Sequence, residues 1–136
     1  MGEFVIKKVN MIVIHVKEME RSIRFYRDVL GLSFDFAEEG MTYFSIGGEF
    51  QKVDLMLHLT NEPKPADHGI GLDFQVDDVE ALVSAAKEMG AVIVQEPIER
   101  EWGVKEAVIA DPDGHKLWFV EAINNILEGR SEEAHV

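Results

Sequence analysis

One β-α-β-β-β pattern occurs twice along the chain, and this repetition limits the possible folds more than any other feature. The first copy opens with the strand-like segment NMIVIHV, and the second opens with the alternating segment IGLDFQV. In each copy a helical segment follows directly and ends at a glycine. The interval from the valine that closes the strand to this glycine is nearly equal in the two copies, from Val16 to Gly31 and from Val76 to Gly90. An internal duplication explains this agreement.

Each copy continues with three further strand candidates after its helix. They are LSFDFAE, MTYFSIG and VDLMLHLT in the first copy, and AVIVQE, KEAVIAD and HKLWFVE in the second. Neither copy alone could cover both faces of its sheet. We therefore predict an α+β fold in which two βαβββ modules form a curved eight-stranded cup with the helices on the outside. The predicted boundaries are 1–124 for a single domain, about 9–60 and 69–122 for the modules, 61–68 for the linker, and 125–136 for a polar C-terminal tail.

Both predicted helices carry recognisable end signals. The second helix has Asp77 or Asp78 as its N-cap, because a short carboxylate side chain accepts hydrogen bonds from the first free backbone N–H groups. Gly31 and Gly90 are predicted to end the two helices in the left-handed conformation that glycine adopts without strain. The apolar positions that recur at helical spacing are Ile23, Tyr26 and Leu30 in the first helix, and Val79, Leu82, Val83 and Ala86 in the second.

Alternation along four strands divides their side chains between two faces of the predicted sheets. One face is predicted to pack against the helices: Ile12, Ile14, Val16, Leu55, Leu57, Leu59, Leu72, Phe74, Val76, Leu117 and Phe119. The opposite face, which we call the open face, mixes large apolar groups with polar ones: Met11, Val13, His15, Asp54, Met56, His58, Gly71, Asp73, Gln75, Lys116, Trp118 and Val120. A ligand pocket requires this mixture, because apolar walls supply affinity and polar groups orient the ligand. The alternative is that the open face packs against another chain.

The charge of the chain excludes several classes of partner. Lys and Arg number 13 against 26 Asp and Glu, which gives a net charge of −13. Clustered basic residues bind nucleic acid, so we expect no nucleic-acid partner, and an anionic membrane surface is equally disfavoured. No apolar run approaches the ~20 residues that span a bilayer, so we expect a cytoplasmic protein. The absence of cysteine excludes thiolate metal sites and thiol nucleophiles.

Three motifs carry a resemblance to a known family. The helix SIRFYRDVLGL, the helix start VDDVEAL and the ending DPDGHKLWFVE, together with the duplicated unit, resemble the vicinal oxygen chelate superfamily. This superfamily includes glyoxalase I, extradiol dioxygenases, fosfomycin-resistance enzymes and bleomycin-resistance proteins. The resemblance extends from about Val9 to Ala122. The resemblance is specific for the fold and much less specific for the function.

In the metal-using members of this superfamily, four strands direct His or Glu inward to hold one divalent ion. The resemblance places those four positions at Met11, His58, Gly71 and Trp118. Only His58 offers a suitable donor there, since glycine has no side chain and an indole has no lone pair to give. We therefore predict no metal and no other cofactor, and we note that this sequence is nearest to the metal-free, bleomycin-resistance-like branch.

The resulting prediction is a metal-independent protein that sequesters a planar or cationic small molecule in an aromatic cup. The predicted ligand-binding residues are Met11, His15, Met56, His58, Asp73, Trp102 and Trp118. The alternative is a lyase, isomerase or dioxygenase of the same superfamily, which uses His58 as a base or a displaced metal site of His58 and His15 with Asp54 or Asp73. A third hypothesis is an interaction module without a small-molecule site. The sequence leaves open whether the protein is an enzyme.

Several other residues receive definite expectations. Glu121 lies near the last ligand position but has the wrong parity, so it is predicted to meet solvent or the helix layer. Trp102 belongs to a predicted loop that could cover the cup, and Tyr43 could also reach it. The resemblance implies a homodimer. The same loop contains Glu96, Glu99, Arg100 and Glu101. His115 is predicted on the outer or rim side, and His68 and His135 are predicted to be solvated. In the tail, Ile123, Ile126 and Leu127 are predicted to dock as one helical turn.

Overall fold

The structure is a computed structural model that describes residues 4–48, 52–65 and 69–123. It divides into two compact units, Met1–Pro63 and Lys64–Val136, which we call module 1 and module 2. Each module contains one four-stranded sheet and one helical segment after its first strand, so the predicted α+β fold of two βαβββ modules is confirmed. The predicted helical turn at Ile126 and Leu127, and the predictions for His68 and His135, lie outside the described residues.

Module 1 has the sheet order β1-β4-β3-β2. Its first strand pairs with its last in parallel, and the other two pairs are antiparallel. The helical segment is α-helical at first and then widens into π-helical turns, in which the Leu30 N–H donates to the Phe25 carbonyl at 3.0 Å. Gly31 follows with a φ of 71°, the left-handed cap that the sequence predicted. The elements are β1 Met11–Val16, α1 Met19–Ile23 with its π-helical continuation Arg24–Val29, β2 Ser33–Glu38, β3 Met41–Ile46 and β4 Val53–Leu59.

Module 2 repeats this arrangement with the sheet order β5-β8-β7-β6. The first and last strands again pair in parallel. Among the residues that the structure describes, neither module contains a helix long and apolar enough to cross a membrane. The elements are β5 Leu72–Gln75, α2 Val79–Glu88, β6 Val92–Glu99, β7 Val104–Ala110 and β8 Lys116–Ala122.

Two carboxylates cap the start of α2. Asp78 accepts a hydrogen bond from the Ala81 N–H at 3.0 Å, as expected for an N-cap aspartate. Glu121 on β8 accepts from the Val79 N–H at 2.9 Å. Its side chain therefore lies on the helix side of the sheet, which confirms the parity prediction. Negative charge at this helix end is favourable because the free N–H groups carry partial positive charge.

The helix-facing sides of the sheets form the apolar core of each module, as the alternation predicted, except that Leu59 at the end of β4 is 44% exposed. In module 1, Leu55 and Leu57 are fully buried and Tyr26 packs beside Phe44, with ring centroids 6.4 Å apart. In module 2, Phe74 and Phe119 stack at 5.4 Å. The other buried members of these layers include Ile14, Val16, Val79, Val83, Ala86, Ile109 and Leu117.

Strand β6 is longer than the sequence predicted. The sequence predicted a strand up to Glu96 and a loop that includes Glu99. The strand continues through Pro97 to Glu99, because an edge strand tolerates proline, and the register between β6 and β7 shifts between Gln95 and Ile98 around it. Glu96 and Glu99 therefore belong to the strand, and the predicted loop is only the short turn from Arg100 to Gly103.

Candidate functional site

The open face of module 1 carries an imidazole pair at one end of the sheet. His15 on β1 is in register with His58 on β4, and His58 is in register with Met41 on β3. The two imidazole rings meet edge to face, with centroids 5.5 Å apart and planes at 68°. Both histidines are exposed. Three neighbouring strands thus present two nitrogen ligands and one thioether in a row.

The next row of the same face is apolar and aromatic. Met56 lies between Val13 and Tyr43, and the Tyr43 ring stacks on Phe36 with centroids 4.3 Å apart and planes at 15°. The Tyr43 hydroxyl donates to the Met41 sulfur at 3.7 Å. Tyr43 therefore lies on the open face, although the strand register around it was not predictable from the sequence. The ring pair and the thioether form one continuous surface.

The third row of module 1 contains a carboxylate. Asp54 is in register with Met11 and Ser45, and Lys52 Nζ lies 3.8 Å from its Oδ1. That oxygen is buried and accepts no hydrogen bond, since an ion pair at this distance is longer than a hydrogen bond. The ion pair with Lys52 is therefore the contact of this oxygen, and the same ammonium also lies 3.9 Å from Asp35.

The open face of module 2 has an indole at its centre. Trp118 on β8 is in register with Asp73 on β5 and with Val108 on β7. A Cβ added to Gly71 would lie 3.8 Å from Cζ3 of Trp118, so the six-membered part of the indole covers the glycine backbone. Leu117 and Phe119 on either side are buried toward α2. The indole thus takes the space that a side chain at Gly71 would occupy, on the face away from the helix.

Asp73 is the carboxylate beside this indole, and its pKa is raised above the ordinary value. Partial removal from water is the larger cause, because it penalises the charged form, and the negative charge of Glu106 adds to it. Asp73 has no counterpart of this kind among the described residues of module 1. A positive group placed next to it would lower its pKa again.

Glu106 itself is engaged by a basic residue at the turn between β6 and β7. Arg100 Nε lies 3.0 Å from the Glu106 carboxylate, and its Nη2 donates to Gln95 Oε1 at 3.1 Å. The guanidinium also lies over the Trp102 ring, 5.8 Å from its centroid. Trp102 is 55% exposed at the tip of the turn. Arg100 is therefore ion-paired with Glu106 and lies over the ring of Trp102, an arrangement that the sequence prediction missed.

The predicted ligand residues thus fall into two groups. Met11, His15, Met56 and His58 share the open face of module 1, and Asp73 and Trp118 are register neighbours on the open face of module 2. Trp102 lies in module 2 with Arg100, at the turn. Whether these residues bind a ligand stays a prediction.

A cavity of about 350 Å³ lies at the other end of module 2, beside the start of α2. Its lining includes Gln75, Asp77 and Glu121. Glu121 is already hydrogen-bonded to the helix end, and the cavity does not include Trp118 or Asp73. We therefore base the candidate site on the open face and not on this cavity.

The four positions at which the resemblance implies metal ligands do not fit a divalent ion. His58 supplies one imidazole, whereas Met11 offers a soft thioether and Trp118 covers Gly71 with carbon atoms. Such an ion takes three or four nitrogen or oxygen donors. Within the described residues no group of three or more His, Cys, Asp or Glu side chains is arranged to hold one. The donor set at these positions therefore supports no chemical step through a divalent ion.

Comparison with known proteins gives consistent results. A family model described as "Glyoxalase/Bleomycin resistance protein/Dioxygenase superfamily" matches residues 8–119. The metallothiol transferase FosB of Staphylococcus haemolyticus is 31% identical over 82% of this chain and 81% of its own. A lactoylglutathione lyase of Neisseria meningitidis is 26% identical over 80% of this chain and 86% of its own.

A solved structure with the same fold is that of FosX, a fosfomycin resistance protein of Listeria monocytogenes, which was determined with Mn(II) and a sulfate ion. It superposes with a TM-score of 0.74 over 93% of this chain and 99% of FosX, at 14% sequence identity. At this identity the likeness establishes the fold alone.

Proposed function

The chain belongs to the glyoxalase/bleomycin resistance protein/dioxygenase superfamily, and within it we propose a protein that binds a planar or cationic small molecule without a divalent metal ion. One observation carries this proposal. The indole of Trp118 lies over Gly71 and beside Asp73, at two positions where the superfamily resemblance implies metal ligands. These two positions therefore hold a glycine and an indole, neither of which can donate to a divalent ion, and the carboxylate of Asp73 lies next to the indole at a position outside the implied ligand set.

An indole next to a carboxylate favours a flat cation for two separate reasons. The face of the indole attracts positive charge and stacks on planar groups, which contributes about 0.5–2 kcal/mol per good contact. Asp73 supplies a negative charge that the raised pKa marks as poorly solvated. A cation that contacts Asp73 relieves this penalty, so binding and ionisation of Asp73 support each other.

The overall charge supports the same ligand class. A net charge of −13 attracts cations to the surface and repels anions at moderate ionic strength. Anionic ligands, such as phosphate-bearing molecules, are disfavoured for this reason. The ligand we propose is therefore a small aromatic or guanidinium-like cation.

The names of two relatives denote a lyase and a transferase, so catalysis is the alternative that the experiment must separate. In a metal enzyme of this fold, His58 would be the first candidate ligand. Elemental analysis of protein purified without chelators distinguishes the two functions. We expect zinc, nickel, iron and manganese each well below one ion per chain, and one ion per chain of any of them would contradict the proposal.

The first prediction concerns Trp118 and ligand affinity. The chain has two tryptophans, so Trp102→Phe leaves Trp118 as the sole source of indole emission. We expect N-methylacridinium to quench this emission saturably, and neutral acridine to quench it more weakly because it lacks the charge. Trp118→Ala should weaken N-methylacridinium binding by about tenfold, measured through the fluorescence of the dye, because one aromatic contact is lost.

Two control variants keep this test specific. Trp118→Phe retains an aromatic face and should retain most of the affinity, whereas Val92→Ala changes an exposed residue of the same module and should change nothing. Circular dichroism establishes that each variant is folded. Equal affinity of the Ala variant and the parent for every planar cation tried would refute the proposed site.

We also propose, from the superfamily resemblance, that the protein is a cytoplasmic homodimer. Light scattering during size-exclusion chromatography measures the mass in solution directly. A monomeric mass at all accessible concentrations would remove the dimer from the proposal and leave the Trp118 site unaffected.

A further inference from the structure

The row at the end of the module 1 sheet combines imidazole nitrogens with a thioether sulfur, donor types that both suit copper. His15, His58 and Met41 lie on β1, β4 and β3, which are consecutive strands in the sheet. Side chains in register on neighbouring strands have Cβ atoms about 4.5–5.5 Å apart, a spacing at which their ends can converge on one ion. His58 is the middle member, in ring contact with His15 and in register with Met41.

The side chains of this row are directed to the open face. Both imidazoles are exposed, and their centroid separation of 5.5 Å leaves room for ring nitrogens to approach a common ion. The Met41 sulfur is held on the same face by the Tyr43 hydroxyl, which uses one of its two lone pairs. The other lone pair remains for an ion.

The donor types select among metal ions. Thioether sulfur is a soft ligand that suits monovalent copper, whereas magnesium and manganese prefer oxygen donors. Imidazole suits copper in either oxidation state. No carboxylate completes the row with the histidines, since the described residues contain no group of three or more His, Cys, Asp or Glu side chains fit for an ion. Two further thioethers, Met56 and Met11, lie on the same face in the adjoining rows.

We propose that the open face of module 1 binds one copper(I) ion through His15, His58 and Met41. The row offers copper(I) one soft thioether and two imidazoles on neighbouring strands. The site shares only His58 with the four positions that the superfamily resemblance implies. It lies in module 1, so it stands or fails separately from the ligand site proposed at Trp118.

The second prediction tests this site with copper(I) itself. The purified full chain is titrated anaerobically with ascorbate-reduced copper against the chromophoric competitor bicinchoninate. We expect one ion per chain. His58→Gln should weaken binding by more than about tenfold, because the loss of a ligand exceeds the effect of an outer-shell change. Met41→Leu should weaken copper(I) binding by about tenfold or more and leave zinc(II) binding unchanged.

Spectroscopy identifies the ligands independently of affinity. With silver(I) as a redox-inert substitute, the imidazole resonances of His15 and His58 and the ε-methyl resonance of Met41 should shift together. His115→Gln and Met89→Leu serve as matched controls, since these residues lie in module 2 and should have no effect.

Three results would overturn the inference. The first is a Met41 ε-methyl resonance that silver(I) leaves in place. The second is tighter binding of zinc(II) than of copper(I), which indicates an ordinary surface histidine pair. The third is an unchanged copper(I) affinity in a folded His58→Gln protein. None of these outcomes alters the acridinium titration of Trp118, so the two proposals are distinguishable.

Discussion

The open faces of the two modules differ in chemistry although the modules share one topology. In both, the first strand pairs in parallel with the last, and a helix follows the first strand. Module 1 presents nitrogen and sulfur atoms from His15, His58 and Met41. Module 2 presents an indole and a carboxylate from Trp118 and Asp73. The helix-facing sides, by contrast, are mainly apolar in both modules, with Thr42 and Glu121 as polar members. The repeated backbone therefore fixes the core and leaves the other side of each sheet free to diverge.

The largest expected effect is on the free energy of unfolding, and it tests the contrast between the helix-facing and open sides of the sheets. Leu57 and Phe119 are buried, and they occupy corresponding helix-facing places on β4 and β8. Leu57→Ala and Phe119→Ala should each lower the free energy of unfolding by about 3 kcal/mol, through lost burial and a cavity. Urea denaturation followed by circular dichroism measures both. His58→Ala, on the exposed side of β4, should change it by less than about 0.5 kcal/mol.

A large loss for His58→Ala, or a small one for either core variant, would contradict the division of roles. The comparison is matched because Leu57 and His58 are adjacent on one strand and point to opposite faces. Backbone effects common to β4 therefore cancel between the two variants.

An effect of intermediate size on the free energy of unfolding is expected to distinguish the N-terminal end of α2 from that of α1. Asp78 caps α2 through its side chain, whereas Glu18, at the corresponding place before α1, makes no capping hydrogen bond. Asp78→Ala should lower the free energy of unfolding by about 1 kcal/mol. Glu18→Ala removes only an exposed ion pair with Arg21 and should cost less than about 0.5 kcal/mol. Thermal denaturation compares the two directly, and equal costs would show that the caps do not differ.

The smallest effect concerns the carboxylate beside the indole of module 2. The folded-state pKa of Asp73 is raised, so the native protein holds its proton to higher pH than the unfolded chain does. Above that pKa both states are ionised and the native state carries the full penalty, which disappears as pH falls through the folded-state pKa. Asp73→Asn should therefore raise stability at neutral pH, by less than about 0.5 kcal/mol because the side chain is exposed.

The measurement is the difference in stability between Asp73→Asn and the parent across acidic to neutral pH. The advantage of the variant should vanish toward low pH. An advantage that is the same at every pH would mean that the charge of Asp73 has no part in it.

Features set by neighbours along the chain were predictable from the sequence. Strand alternation placed Trp118 and Glu121 on opposite faces, and local rules identified Asp77 or Asp78 as a cap, of which the structure shows Asp78, and Gly31 as a helix end. Features set by partners across the sheet were not. The Arg100–Glu106 pair depends on the strand register between β6 and β7, which shifts between Gln95 and Ile98. The pKa of Asp73 likewise depends on Glu106, two strands away.

The domain boundaries, the homodimer and the ligand-binding roles stay predictions. The superfamily motifs indicate the fold because they specify turns and helix packing. They do not specify the chemistry of open-face side chains, which the fold tolerates in many combinations. The hypothesis about function therefore depends on the residue types at Met11, Gly71 and Trp118 and not on the motifs around them.

Pro97 has a consequence for self-association of the chain. Strand β6 forms the margin of its sheet and exposes Val92, Val94 and Ile98 by 63%, 47% and 44%. A long, exposed and apolar edge strand of this kind can pair with a strand of a second molecule and begin a fibril. Pro97 interrupts this apolar stretch with a residue that has no N–H, and the register shift around it breaks the regularity of the margin. Both features discourage the addition of a second strand, so we expect Pro97 to reduce aggregation through this margin.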